Sequence, residues 1–231
     1  TGNTSVLKRI GSRAFAFTAL TELNVPASVT NFYYSTNSDS YKNCVFYGTP
    51  LKKITIGGAL TAVNINMFKN QYSVSDCVLE EVVLREGVTS IGNSCFYGYT
   101  KLKKVTLPTT LTTIEDGAFS GATALERVGM DPDHQNADLV LPPNIMEVPY
   151  RAFYECTLLK SAVIPASVER IGDSAFNGTR LTRVTLNEGL QSIGRCAFAF
   201  TKLTELNVPA SVTDFYYSTN SDSYKNCVFY A

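Results

Sequence analysis

The sequence predicts an α/β-type, strand-rich repeat solenoid, and three observations predict it. A unit of the form L-x-x-[VIL]-x-[LIV]-P-x-x-[LV]-x-x-I-G-x-x-A-F returns about every 22 to 23 residues along the 231-residue chain, a period that belongs to stacked repeats. Each unit opens on apolar residues separated by one position, the alternation of a half-buried strand. Each closes on a phenylalanine. So short a unit cannot bury its own apolar face, so neighbours must stack into one continuous core, with an elongated surface rather than a pocket.

A partial unit precedes Leu20, and eight units follow. Their first column is Leu20, Leu51, Leu79, Leu102, Leu125, Leu159, Leu181 and Leu203; the second is Leu23, Ile54, Val82, Val105, Val128, Ala162, Val184 and Leu206. The third is Val25, Ile56, Leu84, Leu107, Met130, Ile164, Leu186 and Val208. Pro26, Pro108, Pro165 and Pro209 follow it and end strand pairing, because proline has no N–H to donate. Ile91, Ile114, Ile171 and Ile193 come next. The phenylalanines, Phe15, Phe46, Phe68, Phe96, Phe119, Phe153, Phe176, Phe198 and Phe229, should stack as an aromatic spine of the core.

Composition narrows the function. Twenty basic and 20 acidic residues give zero net charge and a pI near 6.5, which leaves no basic footprint for nucleic acid or anionic lipid. No apolar run reaches the about 18 residues of a membrane span, and Thr1-Gly2-Asn3-Thr4 lacks the features of a signal peptide. Residues 1–231 read as a single domain, expected to be a fragment of a longer repeat protein because neither end carries a polar cap. Six cysteines form no closely spaced pair of the metal or redox kind. Cys95 and Cys156 read as buried thiols, whereas Cys196 and Cys227 share a column in adjacent units and leave a disulfide open.

The unit Leu102-Lys-Lys-Val-Thr-Leu-Pro-Thr-Thr-Leu-Thr-Thr-Ile-Glu-Asp-Gly-Ala-Phe119 resembles those of the BspA-like, or treponemal-type, leucine-rich repeat family, and the resemblance covers nearly the whole chain. It implies a right-handed leucine-rich repeat horseshoe of about eight to nine repeats. It also implies a secreted or cell-surface protein of a host-associated microbe, with adhesion to a host matrix protein or another cell as the expected role and no enzymatic activity. The repeat motif is made of core positions, so it assigns no contact residue.

Candidate contacts lie where the period is interrupted, since insertions in solenoids become loops on one face. Leu7 to Tyr47 and Leu190 to Tyr230 differ at only six of 41 positions. Each copy carries Phe-Tyr-Tyr-Ser-Thr-Asn-Ser-Asp-Ser-Tyr-Lys-Asn, a composition suited to adaptable contacts. Tyr33, Tyr34 and Tyr41 with Tyr216, Tyr217 and Tyr224 are therefore candidate binding residues; equally, they could pack the loop onto the solenoid flank. Seven steps of about 4.8 Å would set the two loops roughly 34 Å apart, permitting bivalent capture.

The outward strand positions, Asn24, Thr55, Val83, Thr106, Gly129, Val163, Thr185 and Asn207, offer a second surface. Beside them run Glu22, Lys53, Glu81, Lys104, Arg127, Ser161, Arg183 and Glu205, in which cross-strand pairing explains most of the charge. The insertion Asp131-Pro-Asp-His-Gln-Asn-Ala-Asp138 holds the only histidine but matches no metal loop, so it reads as a solvated acidic loop; no metal or cofactor is expected. No nucleophile-and-base set, phosphate loop or Cys-x-x-Cys is present. The expected function is a non-enzymatic binding module for a protein or glycoprotein ligand, and the alternative is a spacer segment of a larger surface protein.

Overall fold

The computed structural model describes residues 6–32, 45–64, 77–134 and 136–215. With strands numbered along the chain, the main sheet contains β2 (Glu22–Asn24), β4 (Lys53–Ile56), β6 (Glu81–Leu84), β8 (Lys104–Thr106), β10 (Arg127–Gly129), β11 (Leu139–Val140), β13 (Ser161–Val163) and β15 (Arg183–Thr185), stacked in that order. Shorter ladders form from β1 (Arg9–Ile10) with β3 (Asn31–Phe32), from β5 (Ala62–Val63), β7 (Ser90–Ile91) and β9 (Thr113–Ile114), and from β12 (Glu147–Val148), β14 (Arg170–Ile171), β16 (Ser192–Ile193) and β17 (Asp214–Phe215). Every pairing is parallel, as a solenoid requires. The expected leucine-rich repeat solenoid is the observed fold, and the return half of each unit is a series of turns, with no helix among the described residues.

One rung shows how the motif builds a turn of the solenoid. Val105 and Leu107 point inward and are buried. Pro108 then stops the strand, and its carbonyl accepts from Leu111 N at 3.3 Å; Pro26, Pro142, Pro165 and Pro209 make the same turn. The isoleucine column forms the second, two-residue ladder. Glycine follows there because rungs approach closely: a Cβ at Gly172 would lie 2.7 Å from Tyr150 N, and one at Gly194 2.5 Å from Asp173 N.

The chain then passes through paired turns around each phenylalanine. The residues two before and two after the ring adopt positive φ, including Arg151 at 50°, Glu155 at 54°, Phe17 at 57° and Phe200 at 56°, a conformation disfavoured for bulky side chains. This backbone turns the ring inward and directs alternate N–H groups along the stack: Phe96 donates to Ala118, Phe119 to Ala152, Phe153 to Ala175 and Phe176 to Ala197, at 2.7 to 2.9 Å. The resulting spine is continuous from Phe96 through Phe119, Phe153 and Phe176 to Phe198, with centroids 5.3 to 5.6 Å apart and planes within 12°. Phe15 and Phe46 stack in the same way at 5.7 Å. Phe68 and Phe229 lie outside the described residues.

The unit that starts at Leu125 departs from the expected columns. Met130 is 39% exposed, while Leu141 is 2% exposed and stands in the third column before Pro142. The chain leaves the sheet after Gly129, loops back and enters it again as β11, with Val128 registered on Leu139 and Leu139 on Ala162. The insertion therefore adds a strand to the main sheet but no ring to the spine. On the other side, β9 and β12 do not pair. Besides the extra strand, there is a local cause: Glu115 donates to Ile91 O and Gly172 to Val148 O, but the equivalent residue in this unit is Pro149, which has no N–H.

Candidate binding surface

The outward charges of the main sheet pair across rungs. Lys53 and Lys104 lie 3.1 and 3.3 Å from the same oxygen of Glu81, and in the neighbouring column Lys52 and Lys103 lie 3.3 and 2.8 Å from the two separate oxygens of Glu80. Lys103 and Lys52 hold the Glu80 carboxyl below its usual range. These are exposed pairs worth little individually, so they give the early strands a neutral, soluble face. Thr55 and Gly129 of the expected outward set are buried rather than exposed.

Toward the later strands the same column does something else. Lys104 donates to both Asp133 oxygens at 3.2 Å, Arg127 Nη1 donates to Ala137 O at 3.3 Å, and Arg183 Nη2 donates to Asn136 O at 3.3 Å. Three basic side chains from β8, β10 and β15 thus hold Asp133, Asn136 and Ala137 of the insertion over the outward strand face. Its C-terminal end is tied down further, since Asp138 Oδ2 accepts from Lys160 N at 2.7 Å and Asp138 N donates to Ser161 Oγ at 2.9 Å. At its tip His134 Nδ1 lies 3.0 Å from Asp131 Oδ1, and that carboxylate raises the histidine pKa. No group of three His, Cys, Asp or Glu side chains suited to a metal occurs among the described residues.

The sequence anticipated the loop but not its anchorage. The available signal was a column of Lys104, Arg127 and Arg183 bracketing an acidic insertion. Tyr33, Tyr34, Tyr41, Tyr216, Tyr217 and Tyr224 all lie outside the described residues, as does Cys227 of the candidate disulfide. On the strand side β11 makes eight steps from the Leu20 unit to the Leu203 unit, one more than the seven counted from the repeats, about 38 Å at 4.8 Å per step. Cys95 and Cys156 are fully buried, as expected, and burial pushes both thiols up, with Cys156 also donating to Phe119 O at 3.2 Å. Cys77, buried near the Tyr99 hydroxyl, is raised to about 11.

A ladder-bonded solenoid of leucine columns with an aromatic spine and surface insertions defines a leucine-rich repeat protein. The BspA-type leucine-rich repeat model matches in six copies over residues 3–44, 70–138 and 133–228, and the chain belongs to that family. Among solved structures, a leucine-rich repeat protein from Bacteroides ovatus is 23% identical with a TM-score of 0.66, covering 90% of this chain and 49% of that one. The chain thus spans about half the length of that protein, and the likeness shows the fold alone. The leucine-rich repeat protein of T. pallidum is 24% identical (TM-score 0.45, 74% of this chain and 85% of that one), and a leucine-rich cell surface protein from Faecalibacterium prausnitzii is 18% identical (TM-score 0.38, 98% and 78%). No curated protein matches the chain.

Proposed function

We propose that the chain is a non-enzymatic interaction module of an exported, cell-surface microbial protein, and that it binds a host or neighbouring-cell protein or glycoprotein through its outward strand face. The observation that carries this reading is the Asp131–Asp138 loop, held over that face by Lys104, Arg127 and Arg183. A loop tied at both ends and braced from three strands presents its groups with little ordering left to do on binding, which favours affinity. The tyrosine-rich segments provide a second contact under the same proposal, with Tyr33, Tyr34 and Tyr41 and their copies Tyr216, Tyr217 and Tyr224 as the contacting groups. The cell-surface location is part of the same proposal and rests on membership of the BspA-type repeat family.

The test is binding of the purified chain to immobilised fibronectin, laminin, collagen and mucin. The variants are a deletion of Met130–Val140 and serine replacement of the three tyrosines in one segment or in both. A partner whose affinity falls at least tenfold on loss of the loop supports the strand-face reading. A loss confined to the tyrosine variants transfers the contact to those segments. Absence of binding to all four surfaces favours the spacer alternative.

A further inference from the structure

On the turn face, away from the main sheet, two tyrosines and an arginine enclose a cleft of about 280 Å³ whose other groups include Asn93, Asp116 and Gly117. The walls stand two rungs apart on the spine, where each rung advances 5.3 Å. Tyr97 forms one wall and is 54% exposed; Tyr150, 43% exposed, and Arg151 form the other. The rung between them is low because Gly117 fills the position that Arg151 takes in the next unit. The Arg151 guanidinium is held 5.0 Å from the Tyr150 ring centroid and 4.9 Å from that of Tyr154, and no carboxylate pairs with it among the described residues. Tyr150 also borders a second cleft of about 270 Å³, lined by Arg170, Asp173 and Arg195.

We infer that this cleft is a binding site for a neutral sugar, one residue of a glycan lying across the rungs. The exposed ring of Tyr97, and the face of Tyr150 that Arg151 does not cover, offer the negative faces against which the C–H face of a pyranose packs. Asp116 accepts and Arg151 donates, so a ligand whose every hydroxyl can do both satisfies the two together; an anion would meet Asp116 and a cation would meet Arg151. A peptide fits less well. The backbone N–H groups here already serve the neighbouring rung, Ser94 donating to Asp116 O, Gly117 to Tyr150 O and Arg151 to Asp173 O at 2.8 to 3.0 Å, which leaves no free edge for an added strand. The second cleft beyond Tyr150 accommodates a further sugar along the same line.

The site is independent of the strand-face proposal. Its test is saturation-transfer NMR of the purified chain with methyl α-mannoside, methyl β-galactoside and methyl N-acetyl-β-glucosaminide, with N-acetylneuraminic acid as the charged comparison. Transfer to the ring protons of at least one neutral glycoside is expected. Affinity should fall at least tenfold in Tyr97→Ala and in Tyr150→Ala, and be unchanged in Lys202→Ala. Gly117→Asn supplies a variant that fills the cleft floor while keeping the turn, since asparagine tolerates the 63° φ found there; it should abolish the signal with the circular dichroism spectrum intact. No transfer from the wild type to any neutral glycoside, transfer that survives Gly117→Asn, or binding of the charged sugar alone would each overturn the inference.

Discussion

Replacing Phe119 with alanine tests the claim that the aromatic spine is the principal coupling between rungs. The ring is fully buried and stacked on both sides, 5.3 Å from Phe96 and from Phe153. A buried Phe→Ala change costs about 3–5 kcal/mol, of which the two ring pairs supply roughly 0.5–1.5 kcal/mol each. Phe15→Ala is the internal control: that ring is only partly buried and stacks on Phe46 alone among the described residues, so about 1–2 kcal/mol is expected. Equilibrium urea unfolding, followed by far-ultraviolet circular dichroism and by tyrosine fluorescence in a chain with 13 tyrosines and no tryptophan, gives both values. Because solenoid stability is a sum of unit and interface terms, Phe119→Ala should also broaden the transition as the two halves uncouple. A loss under about 1 kcal/mol, or one no larger than for Phe15→Ala, would refute the spine as the coupling element.

Deleting Met130–Val140 joins Val128-Gly129 to Leu141-Pro142 and restores the common unit; the variant should fold with its spine intact and gain amide-exchange protection at Met146 and Glu147, where β9 and β12 can then pair. An unfolded variant would show β11 to be indispensable. His134 should titrate above 6.5 because Asp131 raises it. Its contribution to holding the loop is therefore full below the unfolded value near 6.5 and is lost as pH rises through the folded pKa; NMR of this single histidine, and its fall toward 6.5 in Asp131→Asn, checks the sign. Cys77, Cys95 and Cys156, buried and raised, should resist iodoacetamide at pH 8 in native protein and react on unfolding, read by peptide mass mapping.

The leucine, isoleucine and phenylalanine columns were legible because each is enforced by burial at a fixed period, and a single substitution such as Cys95 for alanine leaves the period visible. The Leu125 unit was not, for a physical reason. Its sequence contains two segments that satisfy the strand pattern, Val128-Gly129-Met130 and Leu139-Val140-Leu141, the second followed by proline as the motif requires. Counting from Leu125 selects the first. The fold uses both, since burying Leu139 and Leu141 gives back more than the loop between them costs to close.

That choice also explains why the candidate sites could not be read in advance. An insertion's period says where it leaves the solenoid but not which face it lies on, and here the decision falls to the three basic side chains that meet it. Tyr97 and Tyr150 likewise become neighbours only because the turn ladder runs from Phe119 directly to Phe153 while the strand side takes an additional step. Inserting one spacing of about 4.8 Å on one side of a stack and none on the other must open the rungs toward the strand side. The loop that occupies the strand face follows from this insertion, the unpaired edge between β9 and β12 follows from it together with Pro149, and the loop and the tyrosine cleft therefore meet at the same irregular rung of the solenoid.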